Sequence, residues 1–232
     1  MRRLDPAEIP SAPDLTFESS LWASGKTHIA GLDEAGRGAW AGPVAAAAVI
    51  LPPDPEILHH LKGVRDSKQM TPAQRDRWAE IIRVEALAWG VGLAASEEID
   101  ALGIVAATRL AMQRALQALN TTPEHLLIDA LRLPAIPCPQ TAILKGDARS
   151  LSIAAASVLA KTSRDALMYQ LDACFPGYGF AVHKGYGTLA HRQALARLGV
   201  SSQHRLTFAP CRLACAETPP LPLNPDQGAS YV

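Results

Sequence analysis

Charge is scarce in this chain, and aromatic side chains are scarcer. Lys and Arg number 22 against 22 Asp and Glu, so the formal net charge is zero, and charged residues fill only 19% of the 232 positions. Aromatics supply 5%, whereas apolar residues supply 48%. A disordered chain combines low hydrophobicity with high net charge, and this composition excludes one. The missing basic excess gives, on average, no support for a polyanionic partner. No apolar run reaches the roughly 20 residues of a membrane span. The longest uncharged stretch of interest, Ala39–Pro53, is broken by Gly42 and Pro43 and suits a buried strand. The start, MRRLDPAEIPSAPDLTF, carries acids and prolines where a signal peptide has an apolar segment, so none is expected. The four cysteines (Cys138, Cys174, Cys211 and Cys215) lack framework spacing. Reduced, mostly buried thiols in a cytoplasmic protein are expected. Cys211 and Cys215 can share a helix face, but two ligands do not make a zinc site.

What is present divides the chain into one compact domain, 27–216, between an N-terminal tail, 1–26, and a Pro-rich C-terminal tail, 217–232; both tails are expected to be flexible. Thr27–Asp33 and Val44–Leu51 read as a hairpin-like pair of strands. Thr71-Pro72 opens a helix running to about Ala86, with Thr as cap and Pro in the first turn. Leu87–Ala95 reads as a strand. Helices follow from Ser96 and, after Gly103, from Ile104 to Leu119, where Leu110, Ala111, Ala115, Leu116 and Leu119 recur at helical spacing. His125–Ile128 and Thr141–Leu144 read as strands, and Ser152–Leu171 and Thr188–Leu198 as helices. Three strands followed by alternating strands and helices indicate a mixed α/β sheet covered by helices.

Acidic residues stand where three apolar runs give out: Asp33-Glu34 after HIAGL, Asp129 after HLLI, and Asp147 after AILKG. Ligands gather beyond strand ends in open α/β sheets. Neighbours on a regular strand face opposite sides, so Asp33 and Glu34 reach one site only if the chain bends; Ala35-Gly36-Arg37-Gly38 offers that freedom. Converging carboxylates repel one another, and a divalent cation or protonation relieves the repulsion. Oxygen-only ligands favour Mg²⁺ or Mn²⁺, and two such ions about 4 Å apart clamp both oxygens of a phosphodiester displacement. Gly36-Arg37-Gly38 followed by Gly42-Pro43 lacks the dinucleotide-binding spacing. Its backbone amides suit either close approach to a sugar-phosphate chain or a plain turn.

GLDEAGRGAWAGPVAAAAVIL resembles the opening motif of the type 2 ribonucleases H, specifically bacterial ribonuclease HII. DSK (66–68), LIDALRLP (127–134), KGDARSLSIAAASVLAKTSRD (145–165), HKGYGT (183–188) and HRLTFAP (204–210) follow in the family's order, and the resemblance covers roughly 29–210. It implies a ribonuclease H-like fold: a five-stranded mixed sheet flanked by helices, with a helical C-terminal part. It also implies an endoribonuclease that hydrolyses the RNA strand of RNA–DNA hybrids and nicks duplex DNA 5′ of embedded ribonucleotides, leaving 5′-phosphate and 3′-hydroxyl ends. Such an activity serves ribonucleotide excision repair and primer removal. By the same resemblance Asp33, Glu34, Asp129 and Asp147 bind two Mg²⁺ or Mn²⁺ ions, and Gly36, Arg37, Gly38 and Tyr186 sense the 2′-hydroxyl that distinguishes RNA from DNA. Ser67, Lys68, His183 and Lys184 contact phosphates. Ser157 and Lys161 satisfy buried polar groups or brace the acidic site. A monomer is the implied state.

The sequence departs from the family pattern at two places. Ala39-Trp40 replaces the commoner Pro and aliphatic residue, and Trp40 either packs on substrate or fills the strand pair. Ala130 stands where Gly is usual, which leads to the expectation of a negative φ there. A catalytically silent nucleic-acid binding module is the rival reading, but clustered acids do nothing for a binder of a polyanion. Counted by segment, the charge is uneven: residues 145–216 hold nine bases against three acids, a net +6, while 1–34 hold three bases against six acids. That basic C-terminal part favours a nucleic-acid partner.

Overall fold

The computed structural model describes residues 9–217, the side chain of Glu217 excepted. Five strands, β1 (Ile29–Ala35), β2 (Val44–Ile50), β3 (Ala88–Ala94), β4 (His125–Asp129) and β5 (Gln140–Ile143), form one sheet in the order β3-β2-β1-β4-β5. The first three make an antiparallel meander, with Asp33 opposite Ala47 and Ala47 opposite Val91. β4 runs parallel to β1 and β5 parallel to β4. This is the mixed, helix-covered sheet that the alternation of elements leads one to expect.

The helices are α1 (Thr16–Ala23), α2 (Ile57–His60), α3 (Pro72–Glu85), α4 (Ser96–Leu102), α5 (Ile104–Gln117), α6 (Leu151–Cys174), α7 (Phe180–His183), α8 (Leu189–Leu198) and α9 (Ala209–Glu217). Strand alternation divides the core into two layers. Leu32, Ala46, Ala48 and Ile50 face Ala107, Ala111 and Ala115 of α5. Ala35, Ala47 and Val49 face Ala154, Ala155 and Val158 of α6. Small side chains on both partners bring α6 close to the sheet. At Gly31 even a Cβ would overlap the Ser152 backbone. Local signals fix the helix starts: Thr71 and Gln74 form a reciprocal capping box on α3, and the Ser150 side chain caps α6.

The N-terminal boundary differs from the expectation of a tail through residue 26. Within that stretch α1 packs Phe17, Leu21 and Trp22 on Ile29, Leu127, Ile143 and Ile153. Glu18 is buried and its Oε1 accepts from Ser150 Oγ (2.6 Å), Ser152 N–H (3.0 Å) and Ser152 Oγ (2.6 Å), which ties α1 to the start of α6. The Pro and Ser content of the segment hides this apolar Phe-Leu-Trp face. The C-terminal tail lies outside the described residues, apart from Glu217 at the end of α9. All four cysteines are free, but only Cys211 is buried; Cys174 and Cys215 are exposed and Cys138 half-buried. Among the described residues no helix is long and apolar enough to cross a membrane.

Candidate active site

Because β1, β4 and β5 are parallel neighbours, their C-terminal ends share one rim of the sheet. Asp33 and Glu34 lie near the end of β1, past the last β4-paired residue Leu32; Asp129 ends β4; Asp147 sits in the 3-10 turn Gly146–Ala148 that follows β5. Asp33, Glu34 and Asp129 line one open groove of about 890 Å³. β1 remains regular through Ala35, so no bend separates the two adjacent acids; the groove wraps the strand end and receives both.

Burial dominates the electrostatics of the four carboxyls. It holds Asp33 well above the ordinary carboxylate range, reinforced by Glu34, Asp129 and Asp147 and opposed by the Ser157 hydroxyl. Asp129 is pushed up to about 6, chiefly by burial, against the pull of the Gly146 N–H at 2.7 Å. Glu34 and Asp147 are raised too, again first by burial. Arg37 answers one oxygen of Glu34 at 3.0 Å, while the other, Oε2, is buried with no hydrogen-bond partner. Lys68 bonds Asp147 at 3.4 Å; burial works against its ammonium, but Asp66, Asp147 and Asp33 outweigh that and raise its pKa. Among the described residues no three His, Cys, Asp or Glu side chains are gathered into a ready ligand cage. The donor set, four oxygen ligands with one unanswered buried lone pair, nonetheless fits a hard divalent cation.

Ser67 and Lys68 occupy the 3-10 turn Ser67–Gln69 and both line the groove. The Ser67 hydroxyl is engaged with Ser157 Oγ at 3.0 Å, and the Ser157 hydroxyl lowers the Asp33 pKa, so the pair of hydroxyls supports the charged form of Asp33. Arg75 fastens this turn through the carbonyls of Ser67 (3.1 Å) and Met70 (2.7 Å) and pairs with Asp165, which also binds Lys161 at 2.6 Å.

The glycine–arginine–glycine turn borders the acids. Gly36 adopts φ +91°, and a Cβ there would overlap the Arg164 side chain. Arg164 and Arg205, two of the nine bases of residues 145–216, are fully buried. Arg164 donates to the carbonyls of Pro43, Ala41 and Lys184, and Arg205 to those of Gly42 and Arg37. Two of the nine C-terminal bases therefore staple this loop and present no charge to a partner. Their position inside the KTSRD and HRLTFAP motifs is the signal that could have found them.

Tyr186 lines the groove half-exposed, its ring 5.5 Å from the Arg164 guanidinium and 5.9 Å from Lys161 Nζ. Lys184 also lines it, with Nζ over the Tyr169 ring at 3.9 Å. His183 corrects the expectation of a phosphate contact. It is buried, its Nδ1 accepts from Gly185 N–H (3.1 Å) and its Nε2 donates to the Tyr178 carbonyl (2.7 Å), so neither ring nitrogen faces the groove. Ala130 is a second correction: its φ is +50°, with its N–H bonded to the Ile143 carbonyl at 3.0 Å. The turn out of β4 takes the left-handed conformation here even though Ala fills it.

A family profile described as Ribonuclease HII matches residues 30–211. A protein named Ribonuclease HII from Chloroflexus aurantiacus is 55% identical over 202 residues, covering 85% of this chain and 94% of its own length. The ribonuclease H2 of Pyrococcus horikoshii OT3 aligns with a TM-score of 0.65 at 25% identity, covering 80% of this chain and 96% of that one. A structure of Bst-RNase HIII in complex with Mn²⁺ aligns with a TM-score of 0.67 at 22% identity, over 82% of this chain and 70% of that one, and shares the fold.

Proposed function

The chain belongs to the ribonuclease HII family, metal-dependent endoribonucleases acting on RNA–DNA hybrids, and we propose that it also nicks duplex DNA 5′ of an embedded ribonucleotide. In this reading Asp33, Glu34, Asp129 and Asp147 hold two divalent ions, Mg²⁺ or Mn²⁺. When bound, such ions supply an activated water and stabilise the leaving 3′ oxygen, giving 5′-phosphate and 3′-hydroxyl ends. The observation that carries the reading is the set of four carboxyls on one rim, Asp33 and Asp147 buried and Glu34 and Asp129 partly so, each raised in pKa, with Glu34 Oε2 unanswered.

The chain's own residues then divide the remaining work. Ser157, backed by Ser67, orients the Asp33 carboxylate, and Gly146 N–H orients that of Asp129. Arg37 holds Glu34, and Lys68 holds Asp147 while remaining exposed enough to meet a phosphate. The Gly36-Arg37-Gly38 backbone approaches the ribose 2′-hydroxyl, and the Tyr186 ring packs against the sugar at the RNA–DNA junction. Lys184 faces the phosphate chain. The enzyme works as a cytoplasmic monomer in ribonucleotide excision and primer removal.

Asp33→Asn and Asp129→Asn each reduce Mg²⁺- or Mn²⁺-supported cleavage to background while duplex binding persists. Thermal stability in chelator is unchanged or raised, because a neutral amide replaces a carboxyl that burial and repulsion disfavour. Full activity in either variant removes that carboxylate from the mechanism.

A further inference from the structure

Behind Tyr186 lies a group of three histidines, His183, His191 and His204, all buried and all outside the groove. Their protonation follows from their partners. Ser201 N–H donates to His204 Nδ1 at 2.9 Å, which leaves His204 Nε2 as the protonated nitrogen. That N–H points at His191 Nε2, 3.1 Å away, making the latter an acceptor. His191 Nδ1 then carries the proton and donates it to the Tyr186 carbonyl at 3.0 Å. The His183 ring stacks on His191 with centroids 4.3 Å apart and planes 11° from parallel. His191 and His204 are neutral in this chain of bonds, and burial, which pushes both down to about 4, keeps them so.

Trp40 joins this group to the glycine–arginine–glycine turn. Its backbone N–H donates to the Gly185 carbonyl at 2.8 Å, and its own carbonyl accepts from the backbone N–H of Arg205 at 2.8 Å. Its ring lies 5.4 Å from His191 and so close over Gly187 that a Cβ there would overlap it. Gly185 and Gly187, the residues flanking Tyr186, are thus held from the turn's side by Trp40, while His191 holds the Tyr186 carbonyl from behind. Trp40 therefore fills the gap between two loops and leaves the groove to others; it is not among the residues that line it.

We propose that His191 is a positioning residue which, with Trp40, fixes the distance between the glycine–arginine–glycine turn and Tyr186 and so sets discrimination at a single ribonucleotide. The proposal rests on the role assigned to Tyr186 above. A continuous RNA strand offers a 2′-hydroxyl at every register, whereas an isolated ribonucleotide must be met by turn and tyrosine together. Misplacing Tyr186 therefore affects the isolated ribonucleotide more.

The test is the ratio of kcat/KM on a duplex with one ribonucleotide to kcat/KM on a continuous RNA–DNA hybrid, which a loss of folded protein leaves unchanged. His191→Leu, which removes the donor, lowers this ratio about tenfold, in keeping with one lost buried hydrogen bond. His191→Asn, whose amide nitrogen can stand near the Nδ1 position, keeps the ratio within about threefold of the parent. Gly187→Ala, which wedges the segment from the Trp40 ring, lowers the ratio and decides the matter if His191→Leu does not fold. An unchanged ratio in folded His191→Leu, or in Gly187→Ala where the leucine variant is unfolded, overturns the proposal, as does a ratio in His191→Asn as low as in His191→Leu. Tyr186→Ala is run alongside. An unchanged ratio there removes the role of Tyr186 itself, whereas a fall there without one in His191→Leu overturns only the positioning role.

Discussion

Ala130 holds a left-handed backbone conformation immediately after a residue of the acidic rim. That conformation costs an L side chain about 1–2 kcal/mol, and glycine avoids most of the cost while giving some back in unfolded-state entropy. Ala130→Gly is accordingly expected to raise stability by roughly 0.5–1 kcal/mol in denaturant unfolding; a loss of stability contradicts the strain argument. At this scale the sequence was readable where chemistry is carried by residue type and place. Asp33, Glu34, Asp129 and Asp147 could be singled out as acids ending apolar runs, and the fold brings them to one rim. His183 could not be assigned correctly, because a histidine beside a lysine in a motif looks like an anion contact until both ring nitrogens are seen to be taken by backbone groups. Arg164 and Arg205 were hidden for the opposite reason. A buried guanidinium whose hydrogen bonds all go to backbone carbonyls has no acidic partner in the sequence to announce it, and only its place inside a motif marks it.

Among the elements, α6 does most to position the site. It packs across β1 and β2, carries Ser157 to Asp33 and Arg164 to the loop before β2, and is capped by Ser150 under the reach of Glu18. Its close seat depends on Gly31, where an added Cβ would meet helix backbone that cannot swing aside. Gly31→Ala is expected to cost about 1–3 kcal/mol as overpacking and to reduce activity through displacement of β1 against α6. A thermal melt equal to that of the parent contradicts the close-approach argument. The five strands and helices α3, α4, α5, α6 and α8 were legible because glycine, proline and capping residues punctuate clear runs, whereas the single-turn helices α2 and α7 are too short to show a period. α1 was not legible either, since a two-turn helix among prolines and serines gives little periodicity. Its existence depends on Glu18 and Trp22 finding partners far along the chain.

For the whole molecule, zero net charge conceals a division between an acidic rim and a basic C-terminal part, and burial of Arg164 and Arg205 reduces what that part presents. The histidine group adds a pH term of definite sign. Folding lowers His204 to about 4, so the unfolded chain binds more protons between pH 6.5 and 4, and the stability this group provides at neutral pH is lost across that window. The raised carboxyls act in the opposite sense over overlapping pH, so the informative quantity is a difference. The advantage of the parent over His204→Asn is expected to shrink by on the order of 2–3 kcal/mol from pH 7 to pH 4. A constant difference contradicts a neutral buried His204.

The central claim is that the acidic rim, charged with divalent ions, cuts beside a ribonucleotide selected by the neighbouring turn and Tyr186. The most direct measurement is product mapping on an end-labelled DNA duplex carrying one ribonucleotide, with Mg²⁺ and with Mn²⁺, alongside an all-DNA duplex and Asp33→Asn. The account predicts a single nick on the 5′ side of the ribonucleotide that leaves a 3′-hydroxyl and a 5′-phosphate, needs metal, and is absent from the all-DNA duplex and from the variant. Cleavage of the all-DNA duplex, a nick on the other side, or undiminished cutting by Asp33→Asn contradicts it.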